Sequence, residues 1–442
     1  VISPARAAAA EVIARVFEAG AFAAPALDAE LGRRAVDPRD AALATELVYG
    51  VLRTEGWLDE RLAALAPRKA WAKDPRVRAH LLIAAYTIAF LDRVPTFAAV
   101  SEAVEGARAA GGERAAGFAN AVLRRLAAGI EGQARPAIAS AVAGAAPGWL
   151  RGALRRSIGR SGAERYLAAG PVPPPIGLCL APGEDRAAWI ATLQRAAPGA
   201  TIEAGAVSPR AILVRGAGDP RRLPGAGDAW IVQEEGAQAV ALAAGASPGE
   251  RVLDACAGHG NKTWLLAAEV GEAGAVDAAD LFPAKIADLR AGPPGKRARA
   301  TYVVDWTLGT GEVPGGYDRV IVDAPCSGVG TLRRRPEIAR RREAADLPRL
   351  RALEEAIARR AATRLRDGGT LIYAVCSVLG EEAEDVVAAL VDRGGDDGTK
   401  LEPLPFEAAI ARPLAGDGHT LRLLPHVHGT DGYFVASLRA RR

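Results

Sequence analysis

The stretch RVLDACAGHGNKTWLLAAEV, residues 251–270, decides the fold. A short apolar run, RVLDA, meets a loop with glycines at 258 and 260, and a run of good helix formers comes after it. That is the pattern of a strand, a tight turn and a helix. It recurs downstream, where the apolar runs GAVDAAD (274–280), TYVVD (301–305), RVIVD (319–323) and TLIYAV (370–375) alternate with helical stretches. Such alternation predicts a doubly wound, Rossmann-like α/β domain, in which ligands bind beyond the carboxyl ends of the strands. The chemistry-bearing residues of this sequence fall on that edge.

The first loop runs Cys256, Ala257, Gly258, His259, Gly260, Asn261, Lys262. Its glycines let the backbone turn sharply and approach a ligand, and the helix after it offers free N–H donors. A nucleotide-like ligand fits here, although the loop alone is equally consistent with an ordinary strand-to-helix turn. The next strand ends in Asp280, about twenty residues on, the offset at which an acidic group binds ribose hydroxyls in doubly wound folds. Asp277 on the same strand competes for that role, and Asp280 is favoured because it ends the strand. The third strand ends in Asp305. For any one of these aspartates a helix N-cap is an equal alternative. Together they suit a nucleoside bearing a cationic sulfonium better than a dinucleotide, which would require GxGxxG. S-adenosylmethionine is therefore the expected cofactor, and a nicotinamide-dependent dehydrogenase is disfavoured.

The fourth strand delivers Asp323-Ala324-Pro325-Cys326-Ser327-Gly328 and the fifth Cys376-Ser377. A buried free cysteine is usually a small hydrophobe. Two of the four cysteines, each followed by serine and each just past an apolar strand, are harder to explain that way. Four cysteines in 442 residues are too few for a disulfide framework and lack zinc-ligand spacing, so free thiols and no metal are expected. Two thiols and an acid suit methylation of cytosine at C5. A thiolate adding at C6 turns C5 into an enamine-like nucleophile, a base then removes the C5 proton, and an acid at N3 disperses charge. A lowered thiol pKa, supplied by a neighbouring cationic cofactor, would help.

Upstream, Ser3-Pro4, Asp37-Pro38 and Asp74-Pro75 each place a capping residue before a proline, predicting three helix starts. Val77, Leu81, Leu82, Ala85, Ile88 and Leu91 recur at helical spacing and predict one buried stripe. Two further helices are expected at 96–110 and 113–128, separated by Gly111-Gly112. Connecting helices over 129–175 end in GPVPPP (170–175), a linker, and the apolar runs at 176–180 and 211–214 flank a helical segment at 185–196. The expected organisation is multidomain: an all-α bundle over 1–135, linker helices and a small α+β unit over 136–235, and the α/β domain over 236–442. Half the residues are hydrophobic, enough for several cores, and the net charge of +4 is mild evidence for a polyanionic partner. No apolar run of membrane-spanning length occurs, and Glu11, Arg15 and Glu18 interrupt the opening segment where a signal peptide would be apolar. A cytoplasmic, monomeric protein with no membrane partner is expected.

The segments DPRDAALATELVYGVLR (37–53), VPTFAAVSEAVEGAR (94–108) and GFANAVLRR (117–125) resemble a NusB-like RNA-binding domain. IVQEEGAQAV (231–240), DAPCSGVGTLRRRPEI (323–338), TLIYAVCSVLGEE (370–382) and HGTDGYFVASL (428–438) resemble signatures of the RNA (cytosine-5) methyltransferases. Among these they are similar to the Sun/Fmu (RsmB-type) enzymes that modify small-subunit ribosomal RNA. The resemblance implies a class I methyltransferase domain in which Cys376 attacks C6, Cys326 assists product release and Asp323 contacts the target base. It also implies a cofactor site lined by Cys256 to Lys262 with Asp280, Asp305 and Asp323, Lys262 being a candidate RNA contact too. Gly258-His259-Gly260-Asn261-Lys262 stands where the family usually has Ala-Pro-Gly-Gly-Lys, and Val375 stands where it usually has Thr. Arg333, Arg334 and Arg335, with the arginines at 340–342, are candidates to hold RNA phosphates, a solvated helix face being the equal alternative. Transfer RNA as substrate, and a non-catalytic RNA-binding, antitermination-like protein, are the competing readings.

Overall fold

In the computed structural model, residues 2–66, 73–131, 134–416 and 418–442 are described. The three proline-marked starts open α1 (Pro4–Ala19), α3 (Pro38–Leu65) and α4 (Pro75–Phe90), with α2 (Ala23–Arg34) between the first two. The carboxylate of Asp37 accepts the backbone N–H groups of Arg39 and Asp40, and that of Asp74 those of Arg76 and Val77, satisfying donors that a helix start leaves unpaired. Ser3 does not cap; its hydroxyl donates to Glu102 instead.

One expectation about these helices is corrected. α4 does not bury a single stripe. Almost every residue from Val77 to Ala89 is buried, because α1, α3 and α5 (Thr96–Ile130) all pack on it. The two helices expected on either side of Gly111-Gly112 are the two arms of α5, parted at Gly112, which takes a non-helical conformation with φ 72°. Next come α6 (Ile138–Ala145) and α7 (Gly148–Ala169), the latter broken at Gly159, φ 73°.

The chain resolves into two compact units. One comprises Val1–Gly152, Arg160–Pro173 and Leu332–Glu343; the other comprises Ala153–Gly159, Pro174–Thr331 and Ala344–Arg442. These limits differ from the expected 1–135, 136–235 and 236–442 for identifiable reasons. α6 packs on α3, where Gly56 faces Ala145, so the helical unit extends past 135. The segment 332–343, expected within the α/β domain, joins the helical unit. Ala23 N donates to buried Glu337, and Arg340, in the short helix that becomes α12 (Ile338–Arg341), pairs with Glu55 at 2.7 Å.

The second unit holds two sheets. β1 (Ile176–Leu180), β2 (Thr201–Ala204), β3 (Ala211–Arg215) and β4 (Trp230–Val232) form an antiparallel sheet in the order β2-β3-β1-β4, with α8 (Arg186–Ala196) beside it. Side chains tie this α+β element to the next helices of the chain. Glu235 of α9 (Glu235–Ala243) accepts the N–H groups of Val207 and Ser208, and Cys179 and Ile231 pack with Trp264 and Leu265.

The large sheet is built from β5 (Arg251–Asp254), β6 (Ala275–Asp280), β7 (Ala300–Val303), β8 (Tyr317–Asp323) and β9 (Leu365–Val375) as parallel neighbours in the order β9-β8-β5-β6-β7. β12 (Tyr433–Arg441) pairs antiparallel with β9 and in turn carries β10 (Lys400–Pro403) and β11 (Thr420–Leu423). Alternate residues of the central strands enter different cores. Leu253, Val320, Val322, Leu371 and Tyr373 face α13 (Asp346–Ala362) and α14 (Glu384–Arg393), while Val252, Ile321, Ile372 and Ala374 face α9 and α10 (Asn261–Val270). Burial on both faces is what makes these strands read as continuous apolar runs. α11 (Pro283–Ala291) packs beside β6 and β7. Because β8 and β9 are parallel with Asp323 opposite Ala374, the loops that leave them start at one height.

Candidate active site

The strand order reverses at β5, whose neighbours are β6 on one side and β8 on the other, so the loops after β5, β6, β8 and β9 converge at a topological switch point. Asp254 ends β5 fully buried, its Oδ2 accepting the Thr263 hydroxyl at 2.7 Å while Oδ1 has no partner; burial pushes its pKa up to about 6. Gly258 and Gly260 both take left-handed backbone, φ 57° and 85°, with open space beside Gly258. A Cβ on Gly260 would come within 2.7 Å of Leu289 and Pro294, so that turn requires glycine.

Asp280, at the end of β6, accepts Gly258 N and Phe282 N, each at 2.9 Å, and so reaches the glycine loop. Its competitor Asp277 is wholly buried, and its two oxygens are taken by the Arg299 guanidinium and the Tyr317 hydroxyl. Asp277 is a core ion pair. Asp305 caps its own turn by accepting the N–H and hydroxyl of Thr307, which holds its carboxyl below the usual range. Cys256 is half-buried, with its thiol pKa pushed up by burial. His259 is exposed, 3.5 Å from exposed Asp288, and Asn261 donates to Val232 O.

The sulfurs of Cys326 and Cys376 stand 3.4 Å apart. A hydrogen bond with Cys376, followed by burial, holds the Cys326 proton well above the ordinary thiol range. Either sulfur can donate in this contact. The cation at the site belongs to the protein. Lys262 Nζ lies 2.5 Å from Asp323 Oδ2, and although burial opposes its charge, attraction to Asp323 outweighs this and raises its pKa. The same ammonium feels the charge of Cys376.

Several residues that hold these loops carry no mark in the sequence pattern. Gly330 N donates to Cys376 O at 2.9 Å and Gly432 N to Gly330 O at 2.8 Å, and a Cβ on Gly330 would meet Gly432 O at 2.0 Å. Glu234 accepts both Ala237 N and Asp431 N, joining the IVQEE and HGTDG segments. Glu382, fully buried, accepts the Ser327 and Ser377 hydroxyls at 2.6 and 2.5 Å and the Ser327 N–H at 2.5 Å.

The arginines placed by sequence beside the catalytic block lie in the helical unit. Arg333 is only 6% exposed and its carbonyl accepts from Arg53, while Arg335 and Arg341 both lie over the Phe22 ring. Arg333 is packed, whereas Arg335, Arg340 and Arg341 are exposed. Among the described residues no group of three His, Cys, Asp or Glu is placed to hold a metal ion, and no helix is long and apolar enough to cross a membrane.

A Rossmann-like sheet with a left-handed glycine turn after its first parallel strand and carboxylates at the ends of the next ones defines a class, the S-adenosylmethionine-dependent methyltransferases. Residues 240–439 match the model of the 16S rRNA methyltransferase RsmB/F family, and residues 3–128 match the NusB family. A putative methyltransferase of Mycobacterium tuberculosis is 37% identical, over 99% of this chain and 97% of that protein. Ribosomal RNA small subunit methyltransferase B of Pseudomonas putida is 34% identical, over 98% of each. Among solved structures, PH0851 shares the fold with a TM-score of 0.81 at 20% identity over 99% of both chains. NSun6 from Pyrococcus horikoshii with SFG gives 0.56 at 16% identity over 67% of this chain and 98% of that one. The chain belongs to the RsmB/F family of 16S rRNA methyltransferases, with a NusB-family domain at its N-terminal end. It is an S-adenosylmethionine-dependent RNA methyltransferase.

Proposed function

We propose that the enzyme methylates C5 of a cytosine in small-subunit ribosomal RNA through a covalent bond between Cys376 and C6. The observation that carries this reading is the 3.4 Å approach of two thiols beside the Lys262–Asp323 pair. The relatives named as small-subunit ribosomal RNA methyltransferases support the choice of RNA.

The glycine turn at 258–260, Asp280 and Asp305 would hold the cofactor, the turn giving a backbone cradle that the Asp280 carboxylate reaches at Gly258 N. When bound, S-adenosylmethionine supplies the methyl group as an electrophile. Cys376 adds to C6 as its thiolate, with Cys326 as its S–H partner and Lys262 as the nearby positive charge. Asp323, hydrogen-bonded to the Lys262 ammonium, would hydrogen-bond at the N3 edge of the base as charge builds on the ring. Once C5 carries its new carbon, a base takes the C5 proton, the C5–H electrons form the C5=C6 double bond and the C6–S bond breaks, releasing Cys376 as its thiolate. Cys326 assists this release. The target base must leave its stack to reach the sulfurs.

The test compares Cys376→Ala with Cys326→Ala, using labelled cofactor and small-subunit RNA. The first is expected to abolish turnover and adduct alike, the second to accumulate a protein–RNA adduct stable to denaturation. The reverse pattern would exchange the two roles, and full turnover by Cys376→Ala would end the proposal.

A further inference from the structure

The two cysteine loops are built alike and end on one side chain. In each, a serine comes directly after the cysteine, its hydroxyl donates to Glu382, and its oxygen accepts the N–H two residues on. Val329 donates to Ser327 Oγ at 3.3 Å and Leu379 to Ser377 Oγ at 3.2 Å. Glu382 also takes the Ser327 N–H, and its own carbonyl is held by the Tyr373 hydroxyl at 2.6 Å. We propose that Glu382 is a positioning residue whose one carboxylate sets the register of the Cys326 and Cys376 loops and so fixes the separation of the two sulfurs. The proposal rests on the reading of those sulfurs as the reacting pair.

Three observations support it. No arginine or lysine pairs with Glu382 among the described residues, so this fully buried carboxyl group depends on these loop donors for its hydrogen bonds. Its neighbour Glu354 is equally buried and is pushed up to about 10 by burial, by the charge of Glu382 and by a hydrogen bond shared with it. At neutral pH Glu354 therefore stands uncharged. Finally, an amide cannot satisfy all three donors: both hydroxyls donate to Oε2 and the Ser327 N–H to Oε1, so a glutamine must turn its –NH2 toward either the two hydroxyls or that N–H.

The experiment measures two things on full-length Glu382→Gln, with Ser377→Ala as the second variant. The first is steady-state methylation. A register fault is expected to lower kcat by about tenfold or more while KM for S-adenosylmethionine, bound at other strand ends, stays within about twofold. The second is the rate at which diamide closes the Cys326–Cys376 disulfide, followed by mass spectrometry. In that step one S–S bond forms, and the two thiol hydrogens pass to the azo group, which becomes a hydrazine. Wild-type protein is expected to close readily, Glu382→Gln about tenfold more slowly and Ser377→Ala more slowly than wild type. Wild-type rates of closure and turnover in Glu382→Gln would overturn the proposal. If that variant does not fold, wild-type rates in Ser377→Ala overturn it instead. Because disulfide closure does not depend on which thiol attacks cytosine, it decides the role of Glu382 even if Cys376→Ala proves active.

Discussion

At the scale of single residues, burial without a partner is the strongest source of pH dependence outside the site. His80 on α4 is shielded from water, and this alone drops its pKa to about 4 from 6.5. The folded state thus prefers the neutral ring. The stability this preserves is complete above pH 6.5 and is lost as pH falls through 4, by up to about 3 kcal/mol. Urea melts at pH 7.5 and 4.5 should show a larger loss for wild type than for His80→Gln, because the amide does not titrate; equal losses would place the ionisation elsewhere. Residue-level chemistry was legible in the sequence where it arose directly from the strand pattern. Asp280, Asp323, Cys326 and Cys376 each sit at or just past the end of an apolar run, and the structure puts all four on the carboxyl edge of the large sheet. Glu382, Gly330 and Gly432 were not legible, because each joins its own loop to one tens of residues away in the chain, which leaves no periodicity.

At the scale of elements, the site depends on loops that touch backbone to backbone. Gly330→Ala would push a methyl group to 2.0 Å from Gly432 O, an atom fixed by its own peptide plane. The two loops must separate. Since misplacement by about 1 Å at a reacting centre costs about a hundredfold in rate, kcat should fall by about that factor with cofactor affinity retained, as measured by calorimetry. Near-normal turnover would mean that the loops accommodate the methyl group. The comparable change in the helical unit is Gly106→Ala, whose Cβ would strike the His80 ring at 2.3 Å. Overpacking there should cost about 1–3 kcal/mol in denaturant melts and leave the chemistry alone. Helix starts were legible because aspartate before proline has one structural meaning, and Asp37 and Asp74 cap as expected. The burial of α4 was not, since an alanine-rich helix looks the same in sequence whether it packs on one side or on all. β10 (KLEP) and β11 (TLRL) were not legible, because neither offers the continuous apolar run that marks a strand buried on both faces.

At the scale of the whole molecule, the chain does not divide its functions into consecutive blocks. Leu332–Glu343 belongs to the helical unit although it comes within a few residues of the Cys326 loop. It supplies the buried Glu337 carboxylate that accepts Ala23 N at the start of α2, the Arg340 pair with Glu55, and arginines over Phe17 and Phe22. The helices of residues 2–173 cut away from the rest therefore lack part of their own packing. Ala23 N loses its acceptor, which costs about 1–3 kcal/mol if it stays buried, and Phe17 and Phe22 lose cationic partners. Such a fragment should melt below the same unit in the full chain, as measured by hydrogen exchange on α1–α3, and a peptide of residues 332–343 added in trans should bind it and raise its melting temperature. A peptide in which Glu337 is replaced by alanine should do so less. A fragment as stable as the full chain's helical unit and indifferent to the peptide would show that the segment is a passenger on the helices. Stabilisation by the peptide would mean instead that the helical unit is completed only when the chain beyond the first cysteine loop has been made.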